Sequence, residues 1–433
     1  MGDEILQKLE SWNWSAAVYG LGYVGLPLAV TLARAGVPVT GFDLDAGLVA
    51  ALGAGRSHID DVTDDDLSDV AAQMRFTTDP EQTRDCDVLF VCVPTPLAVG
   101  KQPDTSFIEG AARTIATVLR PGHVVILEST TYPGTTQNTV LPLLEAGGLA
   151  LDRDFFLAYS PERIDPGNSS FRTSNIPRIV GGASPASSRA AELVYRRFVS
   201  KVHLVSDART AEMAKLLENT FRWVNIALVN ELSLVARAIG IDIWEVIEAA
   251  ATKPFGYMPF YPGPGVGGHC IPLDPFYLQW AARLTGDHTQ FIEVAELINS
   301  KMPQITVSRV QEALNDAGTA LRGARILVIG VAFKPNVKDH RQSASLECIK
   351  LLQRWAADVS YHDPFVAEID DDGIRMASVP LTEETVGAAD CALILCDHDA
   401  IDYQLLAREA RLVVDARNAL RRRGIDPPGV VRL

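Results

Sequence analysis

One segment concentrates the residue types that covalent chemistry needs: Gly263-Pro264-Gly265-Val266-Gly267-Gly268-His269-Cys270-Ile271-Pro272-Leu273-Asp274. Glycines and prolines at this density around one cysteine make a fixed, close-fitting loop. A cysteine held there can act as a nucleophile once its thiolate is stabilised. Outside such a setting it is an inert small hydrophobe. His269 and Asp274 lie close by in sequence, and a histidine there is as readily structural as catalytic. Lys215 and Asn219 are four residues apart and so share one face of a helix. Next to an active thiol, a cation and an amide would stabilise a developing oxyanion; elsewhere they are simply solvated.

A second constellation is Gly20-Leu21-Gly22-Tyr23-Val24-Gly25, a GxGxxG between a strand pattern and a helix pattern. The first glycine permits a tight turn, the second lets backbone approach a pyrophosphate, and the third lets helix pack on strand. Asp43 follows Gly25 by 18 residues, at the end of the next strand, where a carboxylate can accept ribose hydroxyls. Its charge would repel a 2′-phosphate, so the expected cofactor is NAD and not NADP. Two further segments read as pocket linings or as ordinary turns: Glu128-Ser129-Thr130-Thr131-Tyr132-Pro133-Gly134, and Ser160-Pro161-Glu162-Arg163-Ile164-Asp165-Pro166-Gly167-Asn168. Late in the chain, Gly330-Val331-Ala332-Phe333-Lys334-Pro335 replaces the glycine fingerprint with a Phe that can stack on a base and a Lys that can reach phosphate.

These residues need a frame. Short apolar strands alternate with helices from Ala17–Tyr19, through Leu26–Ala35, Val37–Phe42, Asp87–Val93 and Val124–Leu127, to Phe156–Ala158. That alternation implies a parallel sheet covered on both faces. From Ala208 to Ile239 the period changes: Met213, Leu216, Leu217, Phe221, Val224, Leu228 and Leu232 recur at three and four, one long helix with Gly240 as its C-terminal stop. The strand–helix pattern then returns with Arg325–Ile329, Ser345–Ala356 and Val359–His362. The expected fold is α/β: two Rossmann-like doubly wound domains joined by a helical central domain with one long helix. The boundaries fall at 1–205 for the NAD-binding domain, 206–310 for the central domain and 311–433 for the second Rossmann-like domain.

Composition excludes several classes. The chain has 433 residues and a formal charge of −15, which argues against a nucleic-acid partner. The one basic run, Arg421-Arg422-Arg423, reads as a solvated turn. No run of about 18 apolar residues exists for a membrane span, and Met1–Trp14 lacks a signal-peptide core. Six scattered cysteines without CxxC pairs read as reduced thiols, neither a disulfide framework nor a metal site. A cytoplasmic setting is expected.

The segments taken together resemble the UDP-glucose/UDP-N-acetylhexosamine 6-dehydrogenase family over nearly the whole chain. The resemblance rests on GLGYVGLP (Gly20–Pro27), VPTP (Val93–Pro96), ESTTYPGTT (Glu128–Thr136), SPERIDPGN (Ser160–Asn168), AKLLENTFRWVNIALVNE (Ala214–Glu231), GPGVGGHCIPLDP (Gly263–Pro275) and FKPNVKDHRQS (Phe333–Ser343). It implies that Cys270 is the nucleophile, that Lys215 and Asn219 stabilise the oxyanion, and that Asp274 orients water or the lysine. Glu162 would be the general base or water-positioning carboxylate, assisted by Thr130. Gly20, Gly22, Tyr23, Val24, Gly25, Asp43, Thr95, Thr130 and Arg341 would serve the cofactor. Glu162, Arg163, Lys215, Asn219, Phe255, Tyr257, Gly267, Phe333 and Lys334 would hold a UDP-sugar, with backbone of Phe255–Gly265.

The implied reaction is a four-electron oxidation of a sugar CH2OH to a carboxylate through a cysteine thioester, serving polysaccharide biosynthesis, and the long helix makes a homodimer the natural expectation. Two features depart from the plain UDP-glucose pattern. Asp165 and Pro166 stand where some members carry a second glutamate, and Glu128 stands where many UDP-glucose enzymes have lysine. Both look more like the UDP-N-acetylglucosamine branch. Two other readings are a two-electron Rossmann dehydrogenase acting on a small hydroxy acid and a catalytically dead nucleotide-sensing protein. The first explains neither the GGHC loop nor the second nucleotide domain, and the second leaves Cys270, Lys215, Asn219 and Asp274 without a purpose.

Overall fold

The computed structural model describes residues 2–59, 61–98, 100–163 and 173–433. The chain divides into two compact units, Met1–Glu218 with Phe276–His288, and Asn219–Pro275 with Thr289–Leu433.

The first unit is built on an eight-stranded sheet in the order Val202–Leu204, Arg178–Gly182, Phe156–Tyr159, Val124–Leu127, Val88–Val91, Ala16–Tyr19, Val39–Phe42, Met74–Thr77. Every pairing is parallel except that of Phe156–Tyr159 with Arg178–Gly182. Successive side chains leave opposite faces of a strand. Ala16 and Val18 therefore join one apolar layer with Val88, Phe90 and Ile126, while Ala17 and Tyr19 join the other with Leu89, Val91 and Leu127. Burial on both faces explains the unbroken apolar runs. Tyr19 is in register with Phe42 and with Val91, so Gly20, Asp43 and Cys92 come out together at the carboxyl edge. Chain order reverses between Ala16–Tyr19 and Val88–Val91, the place where open α/β sheets bind ligands.

The second unit repeats the plan with five parallel strands, Asp358–His362, Arg325–Ile329, Cys391–Ile394, Val413–Asp415 and Val431–Arg432. Its two apolar layers split Ile326 and Val328 from Leu327 and Ile329 in the same alternation.

The sequence reading of strands and helices holds, with shifts at the ends. Pairing of the second strand starts at Val39 and not Val37, because Pro38 has no N–H to give. The long helix runs Ala208–Ala238, and Gly240 takes the left-handed conformation (φ +75°) that stops it. The periodic residues on that helix are less buried than their spacing implies. Leu216 is buried, but Leu217, Phe221, Leu228 and Leu232 are 45–58% exposed, so much of this stripe lies on the surface of a single chain. Among the described residues, no helix is long and apolar enough to cross a membrane.

Candidate functional site

The glycine turn of the first unit is shaped by contact. Gly20 has φ +92°, and a Cβ on it would lie 2.7 Å from Cys92 O. A Cβ on Gly25 would lie 1.8 Å from Gly20 O, so helix Gly25–Arg34 can approach its strand only as glycine. Gly22 differs: a Cβ there would meet nothing within 4 Å, leaving open backbone in front of the helix N-terminus. Asp43 Oδ2 accepts Leu21 N–H at 2.9 Å and Oδ1 accepts Asp45 N–H at 3.0 Å, which fixes the carboxylate while each oxygen keeps a lone pair. Exposed Tyr23 and half-buried Val24 complete the turn. Thr95, just past the neighbouring strand, is held by its carbonyl, which accepts Tyr277 O–H at 2.7 Å. An open backbone cradle, a helix N-terminus and a fixed acid suit a dinucleotide without a 2′-phosphate.

The segment after Val124–Leu127 is tightly held. Ser129 and Thr131 are buried and Thr130 is half-buried between them. The clamp is Glu212 of the long helix: Oε2 accepts Gly134 N–H at 2.5 Å, and Oε1 accepts Thr136 N–H at 2.9 Å and its hydroxyl at 2.6 Å. Burial pushes Glu212 up to about 7 against these hydrogen bonds. Lys215, 8% exposed, follows one turn later, so Glu212 ties the Thr130 segment to the helix turn that carries Lys215. Arg163 is anchored to Glu218 of the same helix at 2.6 Å and to Pro177 O at 2.7 Å. Ile164, Asp165, Pro166, Gly167 and Asn168 lie outside the described residues.

Glu128 is no pocket lining. It is 1% exposed, with Oε1 accepting Tyr195 O–H at 2.6 Å and Oε2 lying 3.3 Å from Arg178 Nη1. Arg178 Nη2 also donates to Glu162 Oε2 at 2.6 Å. Sequence reasoning missed Arg178, Tyr195 and Glu212. The available signal was Arg178 itself, a charge at the head of the apolar strand run Arg178–Gly182, which demands partners once buried.

In the second unit, the Cys270 loop is threaded through close contacts. A Cβ on Gly267 would lie 3.0 Å from Gln342 O and 3.2 Å from Phe333 Cβ; one on Gly268 would lie 3.0 Å from the Phe333 ring. The His269 ring meets Phe333 edge-on, centroids 6.1 Å apart, and its Nδ1 lies 3.7 Å from Asp339. Burial lowers the His269 pKa, with Asp339 pulling the other way. Arg341 is exposed and grips Asp339 at 2.8 and 3.0 Å. Upstream, Gly263 N–H donates to Asn230 of the long helix at 3.0 Å. Asn219 Nδ2 donates to the buried Asp274.

The structure thus brings Gly267, His269, Phe333, Asp339 and Arg341 into one group, and Asn219 into contact with Asp274. Lys334 is half-buried beside Phe333, its Nζ 5.9 Å from that ring. Phe255 and Tyr257 are surface aromatics, with Lys253 over the Phe255 ring. Cys270 is exposed, whereas Cys86, Cys92, Cys348, Cys391 and Cys396 are all buried. Burial pushes each of those five thiols upward, away from the thiolate. The Cys270 carbonyl accepts Asp274 N–H at 2.9 Å, placing the thiol residue in the turn that opens helix Asp274–Leu284.

The turn that carries Phe333 is held from behind. Asp363 Oδ2 accepts Val331 and Ala332 N–H at 2.7 and 3.2 Å, and buried His398 Nε2 lies 3.0 Å from the same oxygen. Asp363 stands where Asp43 stands in the first unit, but it is spent on its own turn and is 4% exposed.

Three models of the UDP-glucose/GDP-mannose dehydrogenase family match the chain: the NAD binding domain over residues 15–199, the central domain over 209–301 and the UDP binding domain over 327–422. The chain is 38% identical to UDP-N-acetyl-D-glucosamine 6-dehydrogenase of Pseudomonas aeruginosa, over 88% of this chain and 90% of that one. It is 36% identical to UDP-N-acetyl-D-mannosamine dehydrogenase of Pyrococcus horikoshii, over 95% and 96%. A solved structure of UDP-D-ManNAc dehydrogenase from Pyrococcus horikoshii superposes with a TM-score of 0.87 at 35% identity, covering 96% of this chain and 98% of that one. A UDP-glucose dehydrogenase from Pyrobaculum islandicum gives 0.83 at 28% identity, covering 96% of each. With all three domains matched in order, the chain belongs to the UDP-glucose/GDP-mannose dehydrogenase family and is an NAD-dependent nucleotide-sugar dehydrogenase.

Proposed function

We propose that the enzyme oxidises C6 of UDP-N-acetylglucosamine to the uronic acid through a thioester on Cys270. The observation that carries this reading is the contrast among the thiols: Cys270 alone is exposed, in a glycine-rich loop opening a helix, while five others are buried. A helix N-terminus favours a thiolate. NAD, when bound at the Gly20–Gly25 turn, supplies the hydride acceptor for both oxidations.

The chain's own residues do the rest. In the first oxidation C6 loses a hydride and its hydroxyl loses a proton, giving an aldehyde. Cys270 Sγ then bonds to C6, and Lys215 and Asn219 carry the resulting oxyanion, each worth about 2–4 kcal/mol. Asp274 holds the Asn219 amide in place through their hydrogen bond. Loss of a second hydride leaves the thioester. Water, oriented by Glu162 with Thr130, adds to that carbon, and the C–S bond breaks to release the acid. Covalent addition is needed because an aldehyde has no alkoxide from which to expel hydride.

Phe333, Lys334 and Gly267, with Phe255, Tyr257 and Arg163, are proposed to hold the UDP-sugar, and Arg341 to reach the cofactor. The division of labour follows residues 1–205 for NAD, 311–433 for UDP and 206–310 between them. UDP-N-acetylglucosamine is favoured over UDP-glucose by Glu128, which stands where many UDP-glucose enzymes carry lysine, and by the name of the Pseudomonas relative. The exposed stripe Leu217, Phe221, Leu228 and Leu232 supports a homodimer, since a row of large apolar side chains on one helix calls for a partner. A cytoplasmic location is proposed with it.

Cys270→Ser tests the covalent route. Binding of UDP-N-acetylglucosamine should persist in calorimetry while acid formation falls to background. Wild-type turnover in the serine variant would end the thioester reading.

A further inference from the structure

Glu162, the carboxylate assigned above to the hydrolytic water, is wired to a buried cation, Arg178, with no role in that mechanism. Its Oε1 accepts Arg163 N–H and its Oε2 accepts Arg178 Nη2, both at 2.6 Å. Arg178 opens the strand Arg178–Gly182, which pairs with Phe156–Tyr159, the strand that leads to Glu162. The guanidinium is fixed on its other side as well, with Nη1 donating to Pro161 O at 2.8 Å and lying 3.3 Å from Glu128 Oε2. Glu128 in turn is held by Tyr195 O–H at 2.6 Å. The side chains of Arg178 and Glu128 are 2% and 0% exposed and that of Glu162 is 11% exposed. One buried cation therefore serves two carboxylates.

A buried, doubly shared cation is expensive to build and strongly directional. The side chain that gains from it is the one nearer solvent, Glu162. We propose that Arg178 and Glu128 are positioning residues for thioester hydrolysis: Arg178 fixes the Glu162 carboxylate toward the attacking water, and Glu128, competing for the same guanidinium, sets how much of its charge Glu162 receives. This rests on the reading of Glu162 as the water-orienting carboxylate. In that step the water oxygen bonds to the thioester carbon and its proton passes to Glu162. The C–S bond then breaks, and its electron pair returns to Cys270 Sγ.

Among the described residues, the titratable and charged groups facing Glu128 are Arg178, Glu162, Tyr195 and Cys92. Burial pushes the Tyr195 phenol and the Cys92 thiol far up, so both stay neutral in the working range. Burial, only partly offset by Arg178, and the like charge of Glu162 push Glu128 up to about 7. Below that pH Glu128 is protonated and the Arg178 charge is left to Glu162 alone. Above it the Glu128 anion competes for Arg178, leaving less positive charge beside Glu162 to oppose proton uptake from the water. Hydrolysis should accordingly quicken as pH rises through neutrality.

The test uses the full-length enzyme with excess NAD and UDP-N-acetylglucosamine, quenched at short times. NADH is read as a burst, Cys270-bound acyl group by intact mass, and folding by thermal melting. Arg178→Lys keeps the charge and loses the fork: the two-hydride burst should stay within about twofold while hydrolysis slows roughly 10–100-fold and acyl-enzyme accumulates. In Glu128→Gln, the rise of hydrolysis between pH 6 and 8, roughly threefold to tenfold in the wild type, should flatten. Should the lysine variant not fold, the glutamine variant's pH profile decides alone. Burst and hydrolysis slowing together without acyl-enzyme, or an unchanged pH rise in Glu128→Gln, would overturn the proposal. Glu162→Gln separates the two levels. If it accumulates acyl-enzyme and the other variants do not, only the wiring is wrong; if it accumulates none, the role of Glu162 falls and the wiring with it.

Discussion

Replacing Gly22 by alanine and, separately, Gly25 by alanine adds the same methyl group to two positions of one turn, with opposite expected consequences. At Gly25 the new carbon would lie 1.8 Å from Gly20 O, where a contact needs more than 3 Å. The partner atom is backbone, pinned by the Gly20 N–H bond to Phe42 O at 2.9 Å. The helix must therefore back away from the sheet by more than an ångström, at a cost at or beyond the top of the overpacking range, about 3 kcal/mol. At Gly22 nothing lies within 4 Å, so the fold should be unchanged to within about 0.5 kcal/mol. The same methyl would instead occupy the space left for the pyrophosphate, and NAD affinity should fall at least tenfold, about 1.4 kcal/mol. Urea denaturation and calorimetric NAD titration on both variants give the four numbers. A Gly22→Ala enzyme that binds NAD like the wild type would refute the placement of the cofactor, and a Gly25→Ala enzyme of wild-type stability would refute the packing argument.

Three further outcomes follow from the same geometry. Glu212 holds its proton up to about pH 7 in the fold against 4.5 ordinarily, so its contribution to stability is full below about pH 4.5 and is lost as pH rises through 7, on the order of 3 kcal/mol. Glu212→Gln should flatten that fall in urea midpoints between pH 5 and 8; an unchanged slope would mean that Glu212 does not titrate there. Asp363 is held below its ordinary value because hydrogen bonds from His398, Val331 and Phe365 outweigh its burial, so its stabilisation is present at neutral pH and disappears as acid protonates it. Asp363→Asn turns an NH2 toward those donors and should cost about 3 kcal/mol at pH 7 with weaker UDP binding, measured by denaturation and UDP titration. Leu228→Glu, at a position 50% exposed, should leave the melting of a single chain nearly unchanged but yield monomer in sedimentation, whereas an unaltered sedimentation coefficient would remove the stripe from the interface.

What was legible in the sequence was local. The Gly20–Gly25 turn, Asp43 and the Cys270 loop announce themselves because each proposed function needs particular residue types at fixed short spacing, and strand periodicity located both sheets. The long helix was legible as a period but not as a direction. Its apolar residues mark one long helix by their spacing alone, and in the fold Leu217 and Leu228 face outward while Trp223, Ala227 and Asn230 are buried. Spacing reports that a face is apolar, not what covers it. The Glu128–Arg178–Glu162 cluster was illegible for a different reason: its members come from three segments far apart in sequence, joined only by strand pairing. Asp363 shows the converse risk, since by position it matches a ribose-binding acid, and only its hydrogen bonds reveal that it supports a turn.

The most direct test of the central claim is stoichiometric. Purified enzyme, excess NAD and a limiting amount of UDP-N-acetylglucosamine are allowed to run to completion, and NADH is counted against sugar consumed. Two NADH per sugar, with uronic acid as product, is the expected result for a four-electron oxidation through Cys270. One NADH per sugar, with the aldehyde accumulating, would contradict it and leave Cys270 without its role.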